Sequence, residues 1–245
     1  MRKTLLEMVQ SILSDMDSEP VNSISDSIEA QQIASIIEDT FYNIITGKNI
    51  PDHQKLIKLT SLSSTARPTH FEYPTNTKEL ISVKYNVTKT PGKYEWQEIE
   101  FVDPLTFISR MPYLQTGFIS VLEPVSSVPL VIANDTMPTY YTSFDDTYII
   151  MNAYDASIDS VLQSSKTLCY GSVFPTFTIS DAFEPDLDET MLPYLLAESK
   201  SACFSLFKGG SDPKVEQSAR RLKNRIQDNL YKTKQRTKRP LYGRQ

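Results

Sequence analysis

The hydrophobic period of the chain changes twice, and this change constrains the fold more than any other feature. Before about residue 50 and after about residue 185, apolar side chains recur every three or four positions, as in amphipathic helices. From about Lys55 to about Ser180, the chain instead carries short runs rich in β-branched and aromatic residues. The sequence therefore predicts helices at both ends and strands between them.

Two amphipathic helices are predicted before residue 50. The first covers 4–16, and its apolar face comprises Leu5, Met8, Val9, Ile12, Leu13 and Met16. The second is predicted to begin with Asp26 as N-cap, with Glu29 three residues later, and to end at Gly47. Because neither helix is stable alone in water, each must pack its apolar face against a partner.

The middle of the chain predicts a mostly antiparallel β domain. The runs that indicate strands are LIKLTSL, THFEY, LISVKYNV, WQEIEFV, PLVIAN, DTYIIMNAYD, LCYGS and FPTFTIS. The stretch from Lys89 to Lys93 predicts a hairpin connection. Asp103 followed by Pro104 predicts the N-cap and first residue of a short helix.

Helical periodicity returns after Asp186–Glu189, an acidic stretch that we expect in the first turn of a helix because the helix dipole favours negative charge there. This helix is predicted to end at Gly209-Gly210, and a last helix to run from Pro213 to about Tyr231. The fold class is therefore α+β. Residues 1–50 and 185–231 form a helical bundle domain, 54–180 form an inserted β domain, and 232–245 form an extended basic tail.

The C-terminal end is strongly basic in a chain that is acidic overall. Residues 220–245 contain ten Lys and Arg against one Asp, a net charge of +9, whereas the whole chain has a net charge of −5. The remainder therefore carries −14. Such an asymmetry is typical of an interaction tail, which could neutralise nucleic-acid phosphates or dock against an acidic groove of a protein.

The last residues favour the protein partner. Pro240, Leu241 and Tyr242 interrupt the charges, and Gly243 permits a turn. A purely electrostatic tail does not need such residues, whereas a tail that inserts between protein subunits needs apolar anchors.

Signals of catalysis are sparse. His53 and His70 are the two histidines, and both are predicted to lie at the surface or at strand ends, with no metal-ligand spacing around them. Asp186, Asp188 and Glu189 could suggest a metal, but a helix start explains them, and Asp145-Asp146 indicates a loop. With seven glycines there is no phosphate-binding loop and no nucleophile elbow. We therefore expect no enzyme activity, no cofactor and no metal.

Two further patterns bear on where the chain resides. Cys169 and Cys203 are each flanked by apolar or aromatic residues and are predicted to be buried and reduced. No run approaches the roughly 18 apolar residues of a membrane span, and we expect no secretory signal peptide, because Glu7 and Gln10 interrupt the first apolar run.

Several stretches resemble one protein family, and they occur in the right order. They are LLEMVQSIL, SIEAQQIASIIEDTFYNI, KLIKLTS, ARPTHFEYP, YDASIDSVLQSSKTLCYG, FTISDAFEPDLDE, LPYLLAESKSACF, SDPKVEQSARRLKNR and RPLYGR. Together they are similar to head-to-tail adaptor proteins of short-tailed bacteriophages, the family also called tail tubular protein A.

The resemblance implies a structural virion protein at the head–tail junction, made in the host cytoplasm. Copies would form a ring, usually of twelve, that joins the portal protein to the tail nozzle and lets DNA pass without specific binding. The resemblance also implies that the C-terminal tail binds the portal. The residues that match this stretch are Arg236, Lys238, Arg239, Pro240, Leu241, Tyr242 and Arg244.

Two alternatives remain open. A nucleic-acid-binding protein would use the basic end on phosphates, although the acidic remainder and the lack of an aromatic-basic platform argue against it. A carbohydrate-processing or receptor-binding virion protein is suggested by the tyrosine- and threonine-rich β region, and it would need paired carboxylates in a cleft.

Overall fold

The computed structural model describes residues 3–47, 50–90, 92–209 and 213–237, with side chains up to residue 228. The chain forms two compact units. We call Met1–Asp52 with Pro175–Gln245 the helical unit, and His53–Phe174 the β unit. The fold is α+β, with helices at both termini and a mostly antiparallel sheet between them.

Four long helices occur among the described residues of the helical unit. They are α1 (Leu5–Asp15), α2 (Ile28–Gly47), α4 (Leu192–Phe207) and α5 (Pro213–Thr237). The helix α2 packs against both α1 and α4, and α5 packs against α4. The helix α1 begins with a capping box, because the Thr4 hydroxyl accepts a bond from the Glu7 amide and the Glu7 carboxylate accepts one from the Thr4 amide.

Residues between the β unit and α4 close the helical unit. The amide of Leu5 donates to the carbonyl of Phe183 at 2.7 Å, so the start of α1 is bonded to a segment far along the chain. The ring of Phe177 lies 5.1 Å from the ring of Phe41 in α2 and 4.6 Å from that of Phe183. The predicted strand FPTFTIS is therefore wrong, because residues 174–180 contain no strand and part of them packs on α2.

Three predicted helix boundaries are also wrong. Asp26 does not cap α2, because its carboxylate accepts bonds from the amides of Asn22 and Ser23 in a 3-10 turn, and the Ser27 hydroxyl accepts the bond from Ala30 instead. Asp186–Glu189 precede α4 rather than forming its first turn. Residues 232–237 are not extended, since α5 continues as a helix to Thr237.

The described part of the β unit contains ten strands and one short α-helix. The strands are β1 (Gln54–Ile57), β2 (Thr60–Ser61), β3 (His70–Glu72), β4 (Thr77–Asn86), β5 (Trp96–Phe101), β6 (Phe118–Leu122), β7 (Pro129–Ala133), β8 (Tyr140–Thr142), β9 (Tyr148–Met151) and β10 (Thr167–Val173). The helix α3 (Pro104–Ser109) is capped by Asp103 with Pro104 at its first position, which confirms that prediction.

Eight strands form one sheet in the order β1-β10-β4-β5-β8-β9-β3-β2. Every neighbouring pair is antiparallel except β5 and β8, which are parallel. The predicted hairpin between Lys89 and Lys93 is confirmed, since it connects the antiparallel strands β4 and β5. The strands β6 and β7 form a separate antiparallel hairpin.

The β unit contains two clusters of buried side chains, and the smaller one comprises Val102, Phe107, Leu130 and Ile150. The larger cluster includes residues of both the large sheet and the β6–β7 hairpin. Its buried side chains are Leu59, Phe71, Val83, Tyr85, Ile99, Val121, Ile132, Tyr141, Ile149, Met151, Tyr154, Leu162 and Cys169. The two cysteines are buried and free, which confirms that prediction. Burial raises the pKa of the Cys169 and Cys203 thiols to about 12, so neither is a reactive thiolate at neutral pH.

Candidate interaction surfaces

The predicted portal-binding residues fall at the end of α5 and beyond it. Arg236 lies in the last turn of the helix. The other predicted residues, Lys238, Arg239, Pro240, Leu241, Tyr242 and Arg244, lie outside the described residues. The structure therefore places the backbone of one of the seven residues and gives no arrangement for the set.

The helix α5 is longer than the helix that supports it. It has 25 residues and α4 has 16, which correspond to about 37 Å and about 24 Å at 1.5 Å per residue. Because α4 and α5 are consecutive and joined by five residues, they pack as an antiparallel hairpin. The helix α5 is therefore longer than α4 by nine residues, or two to three turns.

The described part of α5 presents cations to solvent. Ala219 and Ile226 are its buried side chains, whereas Arg220, Arg221, Lys223 and Arg225 are exposed. Arg220 forms an ion pair with Glu216 one turn earlier. The helix thus has a narrow apolar stripe against α4 and a wide basic surface.

Both histidines are buried, so the surface part of the prediction is wrong, whereas the strand-end part is confirmed, because His53 directly precedes β1 and His70 is the first residue of β3. His70 in β3 is completely buried, and its Nε2 atom has no partner among the described residues. Burial, with a smaller effect from Arg67, lowers the pKa of His70 to about 4 despite the opposing effect of Glu123. The imidazole is therefore neutral at physiological pH and is surrounded by core side chains.

Glu123 is buried for a structural purpose. Its carboxylate accepts hydrogen bonds from the Val125 amide at 2.9 Å, the Ser126 hydroxyl at 2.7 Å and the Ser126 amide. Burial opposes ionisation of this group, but the bonds from Ser126 and Val125 prevail and hold its pKa below the ordinary value. Glu123 thus fixes the tip of the β6–β7 hairpin rather than acting as an acid or base.

A polar groove of about 440 Å³ lies beside the turn before β9. Tyr73, Asn76, Lys78 and Asp146 contribute to its lining. Asp145, next to this groove, accepts bonds from the amides of Thr147 and Tyr148, as expected for the predicted loop. Within the described residues, no cluster of three or more His, Cys, Asp or Glu is arranged to hold a metal ion.

Seven apolar side chains are exposed on α3, on the loop that follows it and on the β6–β7 hairpin. We refer to them together as the apolar face; they are Leu105, Ile108, Tyr113, Leu114, Leu122, Val125 and Val128. Tyr113 is 92% exposed and Leu105 is 79% exposed. Monomeric soluble proteins rarely expose large contiguous apolar patches without a function.

A shallow groove of about 210 Å³ lies between the α3 region and the β6–β7 hairpin. It is lined by Phe107 and Met111 on one side and by Phe118 and Val131 of the hairpin on the other. The amide of Val131 lies 3.3 Å from the Met111 sulfur, so the loop that follows α3 contacts the hairpin.

Sequence reasoning did not identify the apolar face. The run around Leu105 was predicted to be a short helix and the run from Pro129 to be a strand, but neither pattern tells which side of an element is covered by the rest of the fold. One signal was available. Among the 31 residues 104–134, only Arg110 and Glu123 are charged, whereas 22% of the whole chain is charged.

No helix in the described ranges is long and apolar enough to cross a membrane.

Comparison with known proteins does not assign the chain. No protein-family model matches it, and no curated protein matches its sequence.

Proposed function

We propose that this chain is a structural virion protein, a head-to-tail adaptor of a short-tailed bacteriophage. Copies form a ring, with twelve as the expected number, between the portal protein and the tail nozzle, and DNA passes through its channel. The protein is made in the host cytoplasm and acts in the virion. It has no turnover activity and needs no cofactor or metal.

The observation that carries the proposal is the basic helix α5. It is nine residues longer than α4, and the Lys- and Arg-rich end of the chain follows it in the sequence. A long helix with exposed cations is suited to binding an acidic surface on a neighbouring ring. The ordered series of sequence stretches that resemble the adaptor family points the same way.

The portal contact is assigned to Arg236 and to the terminal residues that follow it. Exposed ion pairs contribute only about 0–1 kcal/mol each, so charge alone does not fix a segment of about eight residues, which loses about 1–2 kcal/mol of backbone entropy per residue. Burial of Leu241 and Tyr242 at about 1.5–3 kcal/mol each supplies the further stabilisation.

The acidic remainder of the chain supports the channel assignment. Outside residues 220–245 the net charge is −14. A channel wall with negative charge repels phosphates and lets DNA slide, whereas a basic wall would retain it.

Binding to purified portal rings of the encoding phage tests the proposal. A chain that stops after Thr237 keeps the described helices and is expected to lose most of its binding in co-sedimentation. A matched pair separates charge from anchoring: Lys238→Gln/Arg239→Gln removes two charges, and Leu241→Ser/Tyr242→Ser removes two anchors. Full binding by the truncated chain would overturn the assignment of the terminal residues, and failure of the intact chain to bind or to form rings would overturn the adaptor function.

One observation favours a second candidate, a nucleic-acid-binding protein. Arg220, Arg221, Lys223 and Arg225 are exposed on one helix, and such a row can neutralise phosphates. In a gel shift with duplex DNA at physiological salt, this candidate requires binding that weakens when Arg220 and Arg221 are changed to Gln. The adaptor proposal expects no retained complex at that salt concentration.

A further inference from the structure

We propose that the polar groove of the β unit binds a neutral, hydroxyl-rich ligand, namely one unit of a saccharide. Residues from two turns line this groove, one turn before β4 and one before β9. The inference goes beyond the proposed adaptor role and does not depend on it, because it involves neither α5 nor the terminal residues.

Hydrogen bonds within and between the two turns fix the shape of the groove. The Tyr73 amide donates to the Thr147 carbonyl at 2.7 Å and joins the two turns directly. The Asn76 carbonyl accepts a bond from the Phe174 amide at 2.6 Å. The volume of about 440 Å³ lies in the range of about 300–1,000 Å³ that small-molecule sites occupy. A preformed site of this size loses little entropy when a ligand binds.

Two of the lining residues have a backbone conformation that residues with a side chain rarely adopt. Asn76 has a φ of 59° and Asp146 has a φ of 55°, both in the left-handed region. Glycine adopts this region at no steric cost, yet these two positions carry an amide and a carboxylate. Residues in such conformations are concentrated at ligand sites. Both turns therefore present a hydrogen-bonding side chain at a position where glycine would be sufficient for the turn.

The side chains of the groove match a neutral hydroxyl-rich ligand better than an ion. Lys78 and Asp146 contribute opposite charges to the lining, so neither an anion nor a cation is favoured. Thr75, Asn76 and Thr147 contribute hydroxyl and amide groups, which both donate and accept hydrogen bonds. A saccharide hydroxyl has the same dual capacity, so it can pair with any of these groups.

Tyr73 adds an aromatic surface to these polar groups. Its ring packs against the larger buried cluster of the β unit and also lines the groove. Burial raises the pKa of Tyr73, and the Asp146 and Glu79 carboxylates raise it further, so the phenol keeps its proton. The ring can therefore contact the CH groups of a sugar while its hydroxyl donates a hydrogen bond.

The groove is suited to binding rather than cleavage. Hydrolysis of a glycosidic bond uses two carboxyl groups that flank the bond, and Asp146 is the one carboxylate among the described residues that line the groove. The neighbouring Asp145 is engaged by the amides of Thr147 and Tyr148. A peptide is a poorer fit, because peptides dock on strand edges or in apolar pockets, and two polar turns provide neither.

Saturation-transfer difference NMR of the intact chain tests the proposal. The probes are glucose, galactose, mannose and N-acetylglucosamine, each as the free sugar and as a short linear oligomer, with triglycine as the peptide probe. At least one saccharide is expected to receive saturation transfer. A stronger signal from the oligomer would identify a polysaccharide as the source, and an equal signal would identify a free sugar or a chain end.

Three glycine variants locate the binding site. Asp146→Gly and Asn76→Gly remove a side chain but keep a residue that accepts the left-handed backbone. The first should weaken saccharide binding by about tenfold or more and the second by about threefold to tenfold, because charged hydrogen bonds are the stronger ones. Ser127→Gly is the matched control, since Ser127 has a φ of 58° at the tip of the β6–β7 hairpin, and it should bind normally. Circular dichroism checks that each variant is folded.

Several outcomes would overturn this assignment. One is the absence of saturation transfer to every saccharide, and another is full binding by both Asp146→Gly and Asn76→Gly. Equal loss of binding in Ser127→Gly would also overturn it, because the effect would then not belong to the groove. Transfer to triglycine and to no saccharide would assign the groove to a peptide instead. None of these outcomes bears on portal binding, which is measured separately.

Discussion

The helical unit and the β unit bury their side chains differently. Among the described residues, sixteen large apolar side chains are exposed, and thirteen of them belong to the β unit. Of the ten buried polar or charged residues, eight also belong to the β unit. The helical unit thus follows the simple rule of apolar inside and polar outside, whereas the β unit departs from it in both directions.

The difference shows where each unit meets its surroundings. The helices α1, α2 and α4 bury their apolar faces against one another. The exposed cations of α5 are therefore the feature of the helical unit that we propose for contact with a partner. In the β unit, apolar side chains such as Leu105 and Tyr113 are exposed to solvent. Buried polar groups such as Glu123 instead form hydrogen bonds that fix loop conformations. The proposed basic contact therefore belongs to the helical unit, whereas most exposed apolar side chains belong to the β unit.

The largest expected effects come from removing one core ring in each unit. Phe41→Ala and Phe71→Ala both truncate completely buried side chains, and each should lower the free energy of unfolding by about 3–5 kcal/mol. The single tryptophan, Trp96, lies in β5 and reports on the β unit, whereas circular dichroism at 222 nm is dominated by the helices.

Urea unfolding followed by both signals should separate the units. Phe41→Ala is expected to move the 222 nm transition more than the tryptophan transition, and Phe71→Ala should do the reverse. Equal shifts of both signals in both variants would show that the two units unfold as one cooperative body.

The pH dependence of stability sharpens the comparison, because the strongly depressed histidine pKa belongs to the β unit. The pKa of His70 is about 4 in the folded protein and near 6.5 when the chain is unfolded. The unfolded state therefore binds more protons between these values, and stability falls as the pH drops from about 6.5 to about 4. The full loss is about 3 kcal/mol, since each pKa unit corresponds to about 1.4 kcal/mol.

Comparison with His70→Gln isolates this contribution. The variant is less stable at neutral pH but should lack the histidine part of the pH dependence in its tryptophan-detected unfolding. If wild type and variant lose stability in parallel between pH 6.5 and pH 4, the burial of a neutral imidazole is not the cause.

Two glycines give the next largest contrast. A Cβ atom on Gly171 in β10 would lie 2.5 Å from the Glu79 carbonyl oxygen of β4, so Gly171→Ala should destabilise the β unit by about 1–3 kcal/mol. Gly47 at the end of α2 has open space around the same position, so Gly47→Ala is the control and should be neutral or stabilise by up to about 1 kcal/mol. Equal thermal stability of the two variants would contradict the close approach of β10 and β4.

The smallest expected effect is the loss of one helix cap. Thr4→Ala removes the hydroxyl that accepts the Glu7 amide, and it should destabilise the helical unit by about 0.5–1 kcal/mol. Thr4→Ser keeps the acceptor and should retain most of that stability. A Thr4→Ala variant as stable as Thr4→Ser would show that the start of α1 depends on its bonds to Phe183 and Asp181 instead.

Features that depend on neighbours in the sequence were predictable. Asp103 and Pro104 mark the start of α3 because a cap needs only the next three residues. The connection between β4 and β5 was also predictable, because the turn-forming residues lie within the short segment that joins the two strands.

Features that depend on distant residues were not. Asp26 sits in a capping pattern, but Asp181, which lies 155 positions later in the chain, accepts the Ile24 amide and sets the geometry of this turn. His70 looked like a strand-end residue, and its burial arises from packing against other strands and Glu123. Segment 174–180 has strand-like composition, but the packing of Phe177 on Phe41 decides its conformation.

The candidate surfaces divide in the same way. The basic composition of α5 could be counted from the sequence, because charge is additive and local. The continuation of α5 to Thr237 could not be predicted, because the residues after Tyr231 are polar and show no helical repeat of apolar side chains. The apolar face depends on which strands remain uncovered, and only the three-dimensional fold decides this.

The bond from the Leu5 amide to the Phe183 carbonyl has a consequence for synthesis on the ribosome. The first helix of the chain completes its packing only after α4, which ends at Phe207, has left the exit tunnel. At a synthesis rate of about 5–20 residues per second, the apolar faces of α1 and α2 remain without their α4 partner for roughly 10 to 35 s. The β unit, whose residues are all made during that interval, can fold first and leaves the nascent helices as the segment that most needs a chaperone.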